Sequence, residues 1–412
     1  MIGLGPLGSI LAIKRLRPVI AASLLGRLPL GMASVALIIG VQTSTGSVAT
    51  AGVVAAGGTI GAAVGAPVQG RLLDRRDRKR VLACFAAAHG LSLVALALGL
   101  RAELGPVLLT ALSVAFGLSI PSLSAANRWV LRTAAPDQVS AAFALEAALI
   151  EFVFIVGPAV AAAVAVAAGP EVVLLACALM VWAGTAWFLG RGAAWLSGGV
   201  APEAEDVAAG RGDGRVVVVV MFVVGMGFLA TVQGFLPIAV TQFAVERGGD
   251  LRPLGIGLSI MSVCSLIGGL GYGSVKWRLG FRSRFVLLAL GYAVPLLVPV
   301  FAPGVSVVYV ALAFAGLFLA PLTSLCLRIL DAIGKSGAWM QTQSWGIVAN
   351  TAGAAMGSAL GGVVTARYGS ASGFLAAALA VAGCVVVAAP AFAVLRRMGV
   401  TSDPVAPAKS VS

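Results

Sequence analysis

The sequence predicts an all-α membrane protein with twelve transmembrane helices arranged as two six-helix bundles. Of its 412 residues, 60% are hydrophobic and only 10% are charged, whereas soluble domains carry about 25% charged residues. Apolar runs recur along the whole chain, each of about 20 residues and thus long enough to cross roughly 30 Å of hydrocarbon. Because these runs are apolar on all sides, they fit helices and not the alternating strands of a barrel.

Turn residues and charges divide the chain into twelve candidate spans. These cover residues 18–41, 47–69, 81–100, 105–126, 138–167, 170–190, 215–242, 252–274, 284–302, 305–327, 338–365 and 371–395. A long polar interruption follows the sixth span and has the composition of a linker. The domains expected are an arm at 1–17, a bundle at 18–190, a cytoplasmic linker at 191–214, a second bundle at 215–395 and a cytoplasmic tail at 396–412.

The basic residues indicate how the chain is oriented. With both termini in the cytoplasm, 23 lysines and arginines lie at the cytoplasmic segments and 4 lie in the opposite loops. This asymmetry follows the positive-inside rule, so we expect an N-in/C-in, multi-pass protein of the inner (cytoplasmic) membrane, in contact with membrane lipids. The net charge of +13 then reflects orientation, and no nucleic-acid partner is expected.

Few residues are suited to metal or enzyme chemistry. The five cysteines are scattered inside apolar runs, and His89 is the single histidine. These spacings predict no metal site and no disulfide framework. The chain also lacks a Gly-x-x-x-x-Gly-Lys-Ser/Thr loop for nucleotide phosphates. We therefore expect no cofactor and no enzyme activity.

The loop after the second span carries a motif. Residues 70–80 read GRLLDRRDRKR, which resembles the signature Gly-x-Leu-x-Asp-Arg-x-Gly-Arg-Arg/Lys of the major facilitator superfamily at its usual place between spans two and three. Asp77 stands where the family usually has Gly. The resemblance implies two pseudo-symmetric bundles that form a secondary transporter, and a gating loop. Its gating residues would be Gly70, Asp74, Arg75, Arg78 and Lys79; basic residues that only fix the orientation are the alternative. We also expect Gly70 to let the second helix end close against a neighbour.

The two halves resemble each other, as a repeat-built transporter predicts. In spans four and ten a glycine precedes a proline, and an arginine follows the proline by seven residues. The two sets are Gly117, Pro121 and Arg128, then Gly316, Pro321 and Arg328.

Rows of glycines line one face of spans two and eleven. They are Gly57, Gly61 and Gly65, then Gly353, Gly357 and Gly361. In the superfamily's fold these two helices meet across the boundary between halves, so the rows predict a sliding seam between the bundles. Tight packing within one half is the alternative.

Ionisable groups inside a membrane are costly and mark functional sites by default. Arg27 and Glu146 lie at equal depth, about 12 Å from the inner surface, so they can pair; snorkelling of Arg27 is the alternative. Glu151 lies about 20 Å along its helix, where a carboxyl group can be neutral part of the time, as a proton carrier requires. We expect Glu151, with Glu146 and Arg27, to serve proton coupling; a carboxyl permanently bonded in the core is the alternative.

Polar residues of the second half could line a substrate cavity, or hydrogen-bond neighbouring helices. The expected substrate-binding residues are Gln233, Thr323, Ser324, Gln343, Trp345 and Asn350. Trp345 offers a face for an aromatic or cationic ligand. We expect His89 to pack inside the bundle, because span three is peripheral in the superfamily's fold.

The sequence favours a monomeric, proton-coupled exporter (antiporter) of a small apolar or amphipathic molecule. Gly157-Pro158 retains the core of the Gly-Pro motif of the superfamily's efflux antiporters, but span four at 105–126 lacks the arginine of many proton-coupled drug exporters. A nutrient uniporter or proton symporter is the alternative within transport. A membrane-embedded enzyme and a non-transporting receptor are alternatives from other classes.

Overall fold

The computed structural model describes residues 13–135, 139–196, 213–247, 250–274, 279–333 and 339–397, and within these ranges the chain is all-helical. The helices are α1 (Arg17–Thr45), α2 (Val48–Arg75), α3 (Arg78–Arg101), α4a (Pro106–Leu118), α4b (Leu123–Ala134), α5 (Val139–Ala168), α6 (Pro170–Leu196), α7 (Asp213–Glu246), α8 (Arg252–Ser274), α9 (Phe281–Leu297), α10 (Val305–Ile333), α11 (Trp339–Tyr368) and α12 (Ser370–Arg397). A 3₁₀ turn, Val298–Phe301, extends α9. The predicted fold class is confirmed.

Eleven helical segments in the described part of the chain are long and apolar enough to cross a membrane. They include one continuous stretch, Pro106–Leu131, that covers α4a and most of α4b. The remaining helix, α11, has 30 residues but is rich in Gly, Ser and Thr. Its small residues suit a helix that packs closely between others.

Helices pack mainly within each half. In the first half, α1 packs against α5 and α6, α2 against α4a, and α3 against α6. In the second half, α7 packs against α11 and α12, and α8 against α10. The main contacts across the boundary between the halves are those of α2 with α11 and of α5 with α8; α7 also touches α1 and α2. We call the end of the bundle that holds Arg17 and Arg397 the termini end and the opposite end the far end.

The glycine rows do not form the predicted seam. A Cβ on Gly61 would collide with Val114 O of α4a, and a Cβ on Gly357 would collide with Thr231 O of α7. The other members of both rows have the same neighbours: α4a for Gly57 and Gly65, and α7 for Gly353 and Gly361. The seam hypothesis was therefore wrong for these six glycines, which let helices of the same half approach closely.

The expected end of the second span at Gly70 was also wrong. Helix α2 continues to Arg75, and a Cβ added to Gly70 would meet nothing within 4 Å. Long basic side chains are good helix formers, so the charges after Gly70 extend the helix beyond the apolar span.

The fourth span is broken in two around Pro121, whose ring and missing N–H disfavour the interior of a helix. Gln69 of α2 is 1% exposed and satisfies the interrupted backbone. Its Nε2 donates to Ile120 O at 2.5 Å, and its Oε1 accepts from Ser122 N at 3.0 Å and from Ser122 Oγ at 3.2 Å. One buried amide therefore ties α2 to the bend between α4a and α4b.

Candidate functional site

A cavity of about 390 Å³ lies at mid-height between the two halves. Its walls come from α1 and α5 of the first half and from α7, α8 and α10 of the second half. The walls are mostly apolar, with polar groups at Ser34, Glu151, Gln233, Ser262 and Ser265. Ligand sites of transporters lie near the midplane at the interface of the repeats, so this cavity is the candidate substrate site.

Close approach of α1 and α5 shapes the first-half wall. A Cβ on Gly31 would collide with Val153 O, and a Cβ on Gly157 would lie 2.9 Å from Gly31 Cα. The two backbones therefore touch, which brings the α5 residues just before Gly157 beside α1. Glu151 lies on this wall, half-buried and lining the cavity.

Arg27 and Glu146 form an ion pair between α1 and α5, each about 2% exposed. Arg27 Nη1 also donates to Ser124 Oγ at 2.8 Å, and Asn127 Nδ2 donates to Glu146 Oε2 at 2.7 Å. Equal depth allowed this pair, and the burial of Arg27 does not fit snorkelling. Sequence reasoning missed Ser124 and Asn127, although polar residues beside the Pro121 bend were a usable signal.

The two carboxylates in α5 have different surroundings. Glu146 is held by Arg27 and Asn127. Glu151 lies five residues further along, about 8 Å along the helix axis, and has no hydrogen bond or ion pair to the described part of the chain. The buried pair is therefore one to two helical turns on the termini side of the cavity, while Glu151 is part of its wall.

The motif at residues 70–80 is almost entirely helical, since it covers the end of α2 and the start of α3. Arg75 ends α2, Arg78 begins α3, and the Asp77 carboxylate caps α3 by accepting from Lys79 N at 3.0 Å. The guanidinium of Arg78 lies 3.9 Å from the ring centroid of Trp129 in α4b. Asp77, where the superfamily usually has Gly, thus serves as an N-cap, which Asp favours. The side chain of Asp74 lies outside the described residues.

Of the six expected substrate residues, Gln233 lines the cavity. Thr323 is half-buried, and its hydroxyl donates to Leu319 O of its own helix at 2.9 Å. Ser324 and Asn350 are half-buried at positions outside the cavity lining. The side chains of Gln343 and Trp345 lie outside the described residues.

Sequence reasoning missed three serines of the cavity wall, Ser34, Ser262 and Ser265. The spacing of Ser262 and Ser265, three residues apart on one helical face, was a usable signal. His89, in contrast, packs in the bundle as expected: it is 1% exposed, stacks on Phe116 with centroids 4.9 Å apart and has Nδ1 3.0 Å from Phe116 O.

At the far end, the α2–α11 contact closes the boundary between the halves. A Cβ on Gly52 would lie 2.5 Å from Ser358 O and 2.8 Å from Gly362 Cα. The two backbones therefore touch, and only glycine fits at these two positions without a shift of one helix.

The α5–α8 contact closes the boundary on the opposite side. A Cβ on Gly255 of α8 would collide with Pro158 O and with the Cβ of Ala162. Next to it, Ala159 N donates to Ser259 Oγ at 3.1 Å. A proline in a helix frees backbone groups in its vicinity, and here a side chain of the opposite half accepts the bond.

Comparisons with known proteins agree with this architecture. The Major Facilitator Superfamily model matches residues 19–277. No curated protein matches the sequence of this chain. Among solved structures, the nucleoside transporter NupG superposes with a TM-score of 0.73 at 14% identity and covers 93% of this chain and 100% of its own.

Two further structures are similar. A bacterial homologue of the iron transporter ferroportin in an inward-facing state has a TM-score of 0.69 at 17% identity, over 90% of this chain and 98% of its own. A POT peptide transporter has a TM-score of 0.70 at 15% identity, over 93% and 95%. At these identities the likeness establishes the fold, whereas the family model covers more than half of the chain. The chain therefore belongs to the Major Facilitator Superfamily and is a membrane transporter of that type, not an enzyme.

Proposed function

We propose that this transporter exports a small apolar or amphipathic molecule in exchange for protons. The observation that carries the proposal is the mid-height cavity between the halves, whose mostly apolar wall holds the carboxylate of Glu151. An apolar wall suits an apolar ligand body, and a carboxyl group in a low-dielectric site can gain and lose a proton. One site can then hold both the substrate and the coupling proton.

The contacts between the halves support alternating access by a rocking motion. Gly52 with Gly362, and Pro158 with Gly255, hold the far end closed. Both contacts are between small or backbone groups, which can separate without breaking an ion pair. With both termini placed in the cytoplasm of the cell's inner membrane, the closed far end faces away from the cytoplasm.

Two other groups of residues support transport. The Arg27–Glu146 pair holds α1 against α5 beside the coupling site and takes part in proton transfer through Glu151. The α2–α3 motif acts as a gate at the termini end, with Asp74 as its acidic partner and Arg78 held by Trp129.

Proteoliposomes with a pH-sensitive dye test this function. A compound panel includes lipophilic amines, neutral aromatics, nucleosides and dipeptides, the last two because NupG and POT are named for such substrates. We expect substrate-dependent proton flux for an amphipathic compound, because its body fits the apolar wall.

Matched carboxyl variants locate the coupling group. Glu151→Gln removes the cavity carboxylate and is expected to abolish proton flux, whereas Glu103→Gln in an exposed loop keeps it. Unchanged flux in Glu151→Gln would remove Glu151 from coupling. Transport without proton flux for every compound would contradict the antiporter mechanism.

A further inference from the structure

Glu151 is the charged group of the cavity wall. Among the described residues that line the cavity, the others are apolar, hydroxyl-bearing or, at Gln233, an amide. A carboxylate in a mostly apolar site is costly unless it is neutralised. Either a proton or a positively charged ligand can supply the missing charge.

Other titratable groups lie away from this carboxylate or are already engaged. Arg27 on α1 is bonded to Glu146. Arg128 on α4b and the thiol of Cys264 on α8 are absent from the cavity lining. The described residues of α7 and α10 contribute only uncharged groups to the wall. No cation of the described protein therefore competes for Glu151.

The rest of the wall suits a compact organic cation. Phe154 lies three residues after Glu151 on the same face of α5, is 44% exposed and lines the cavity. Its ring can stack on a cationic nitrogen while the carboxylate supplies the opposite charge. Leu30, Leu236 and Leu258 provide apolar surface for the ligand body.

From these observations, and resting on the proposed transport function, we propose that the cavity binds a monovalent organic cation with an apolar body. Its charged nitrogen lies between Glu151 and Phe154. With a neutral molecule, only a proton could neutralise the carboxylate. An anion would be repelled by the carboxylate, and a dication would bring a second charge into the apolar wall without a partner.

The exchange of cation for proton balances at a single carboxyl group. Binding converts protonated Glu151 and a free cation into an ionised Glu151–cation pair and one released proton. The reverse step loads the proton and frees the cation. Since one group serves both ligands, they exclude each other, as an antiporter requires.

Matched probes test the charge requirement on the purified full-length protein in nanodiscs. Benzyltrimethylammonium and phenethyltrimethylammonium are compared with neutral isosteres that carry a tert-butyl group and with phenylacetate. We expect calorimetric binding of at least one cation, at least tenfold tighter than its isostere. At pH values below the titration range of Glu151, the affinity for the cation falls about tenfold for each unit by which the pH is lowered. In weak buffer, one proton is released for each cation bound.

Variants separate the role of Glu151 from general damage. Glu151→Gln is expected to weaken cation binding at least tenfold and to remove its pH dependence. Glu103→Gln retains both, and monodisperse elution on size exclusion verifies folding of each variant. Equal binding of cation and neutral isostere, unchanged cation binding in Glu151→Gln, or binding of no cation would each overturn the inference.

Failure of the cation site and failure of proton-coupled export give different results. Proton flux driven by neutral compounds and lost in Glu151→Gln would preserve proton-coupled export and overturn the cation site. Cation binding at Glu151 without proton flux in proteoliposomes would preserve the site and contradict proton coupling.

Discussion

Arg27 and Glu146 show what an ionisable pair costs at the scale of single residues. Both are about 2% exposed, so each depends on the other for neutralisation. Removing one partner of a buried pair leaves an uncompensated charge and costs about 3–5 kcal/mol, while replacing both with apolar residues is often neutral. We expect Arg27→Met and Glu146→Met to lower the thermal midpoint in detergent, and the double variant to recover most of the loss.

The double-variant comparison isolates the pair from its neighbours. Thermal unfolding followed by size exclusion gives the midpoints of all four proteins under one condition. If the two single losses simply add in the double variant, the ion pair does not stabilise the fold. Ser124→Ala serves as a control, because it removes one neutral contact of Arg27 and leaves the charge balance intact.

At this scale the sequence predicted the Arg27–Glu146 pair but missed the polar residues around it. Charges in an apolar span are conspicuous, so Arg27 and Glu146 were easy to find. The rise of the helix then placed them at the same depth. Gln69 and Asn127 were missed, because their roles depend on the groups that they contact in the folded protein. Gln69 bonds to Ile120 and Ser122, more than fifty residues away, and no local pattern reveals such a contact.

At the scale of helices, Gly255 determines how closely α8 can approach α5. Its missing Cβ leaves space for Pro158 O and for Ala162. We expect Gly255→Ala to separate the far ends of the two helices and shift the population away from the closed far end. Spin labels at the exposed positions Ala102 and Ser306, introduced after replacement of the five native cysteines, report the separation as longer distances.

A matched glycine in the same helix provides the control. A Cβ added to Gly271 would meet nothing within 4 Å, so Gly271→Ala is expected to leave the label distances unchanged. Equal distance distributions for Gly255→Ala and the parent protein would contradict the role assigned to this contact.

The sequence was also least able to predict which helices contact each other. Periodicity placed the glycines of α2 on one face and those of α11 on one face. Each face could pack against a helix of its own half or against a helix of the other half. The structure places those glycines against α4a and α7, and places Gly52 and Gly362 at the boundary instead. Small residues predict a close approach without naming the helix that approaches, so the pairing depends on the packing of the whole bundle.

At the scale of the whole molecule, the proposed transport requires the halves to separate at the far end. Ala159 N and Ser259 Oγ, from opposite halves, lie 3.1 Å apart, which brings these two residues within reach of a cross-link. A disulfide requires Cα atoms about 4.4–6.8 Å apart. In a background without native cysteines, oxidised Ala159→Cys/Ser259→Cys is expected to retain ligand binding but lose transport in proteoliposomes, and reduction is expected to restore transport.

A cross-link inside one half separates this effect from general rigidity. Ser113 Oγ of α4a donates to Val54 O of α2 at 2.7 Å, and both helices belong to the first half. Because each half is expected to move as a body, oxidised Val54→Cys/Ser113→Cys is expected to transport at the rate of its reduced form. Transport by the oxidised Ala159→Cys/Ser259→Cys protein at its reduced rate would mean that the far end does not open. Loss of transport in both oxidised pairs would show that the helices within a half move as well.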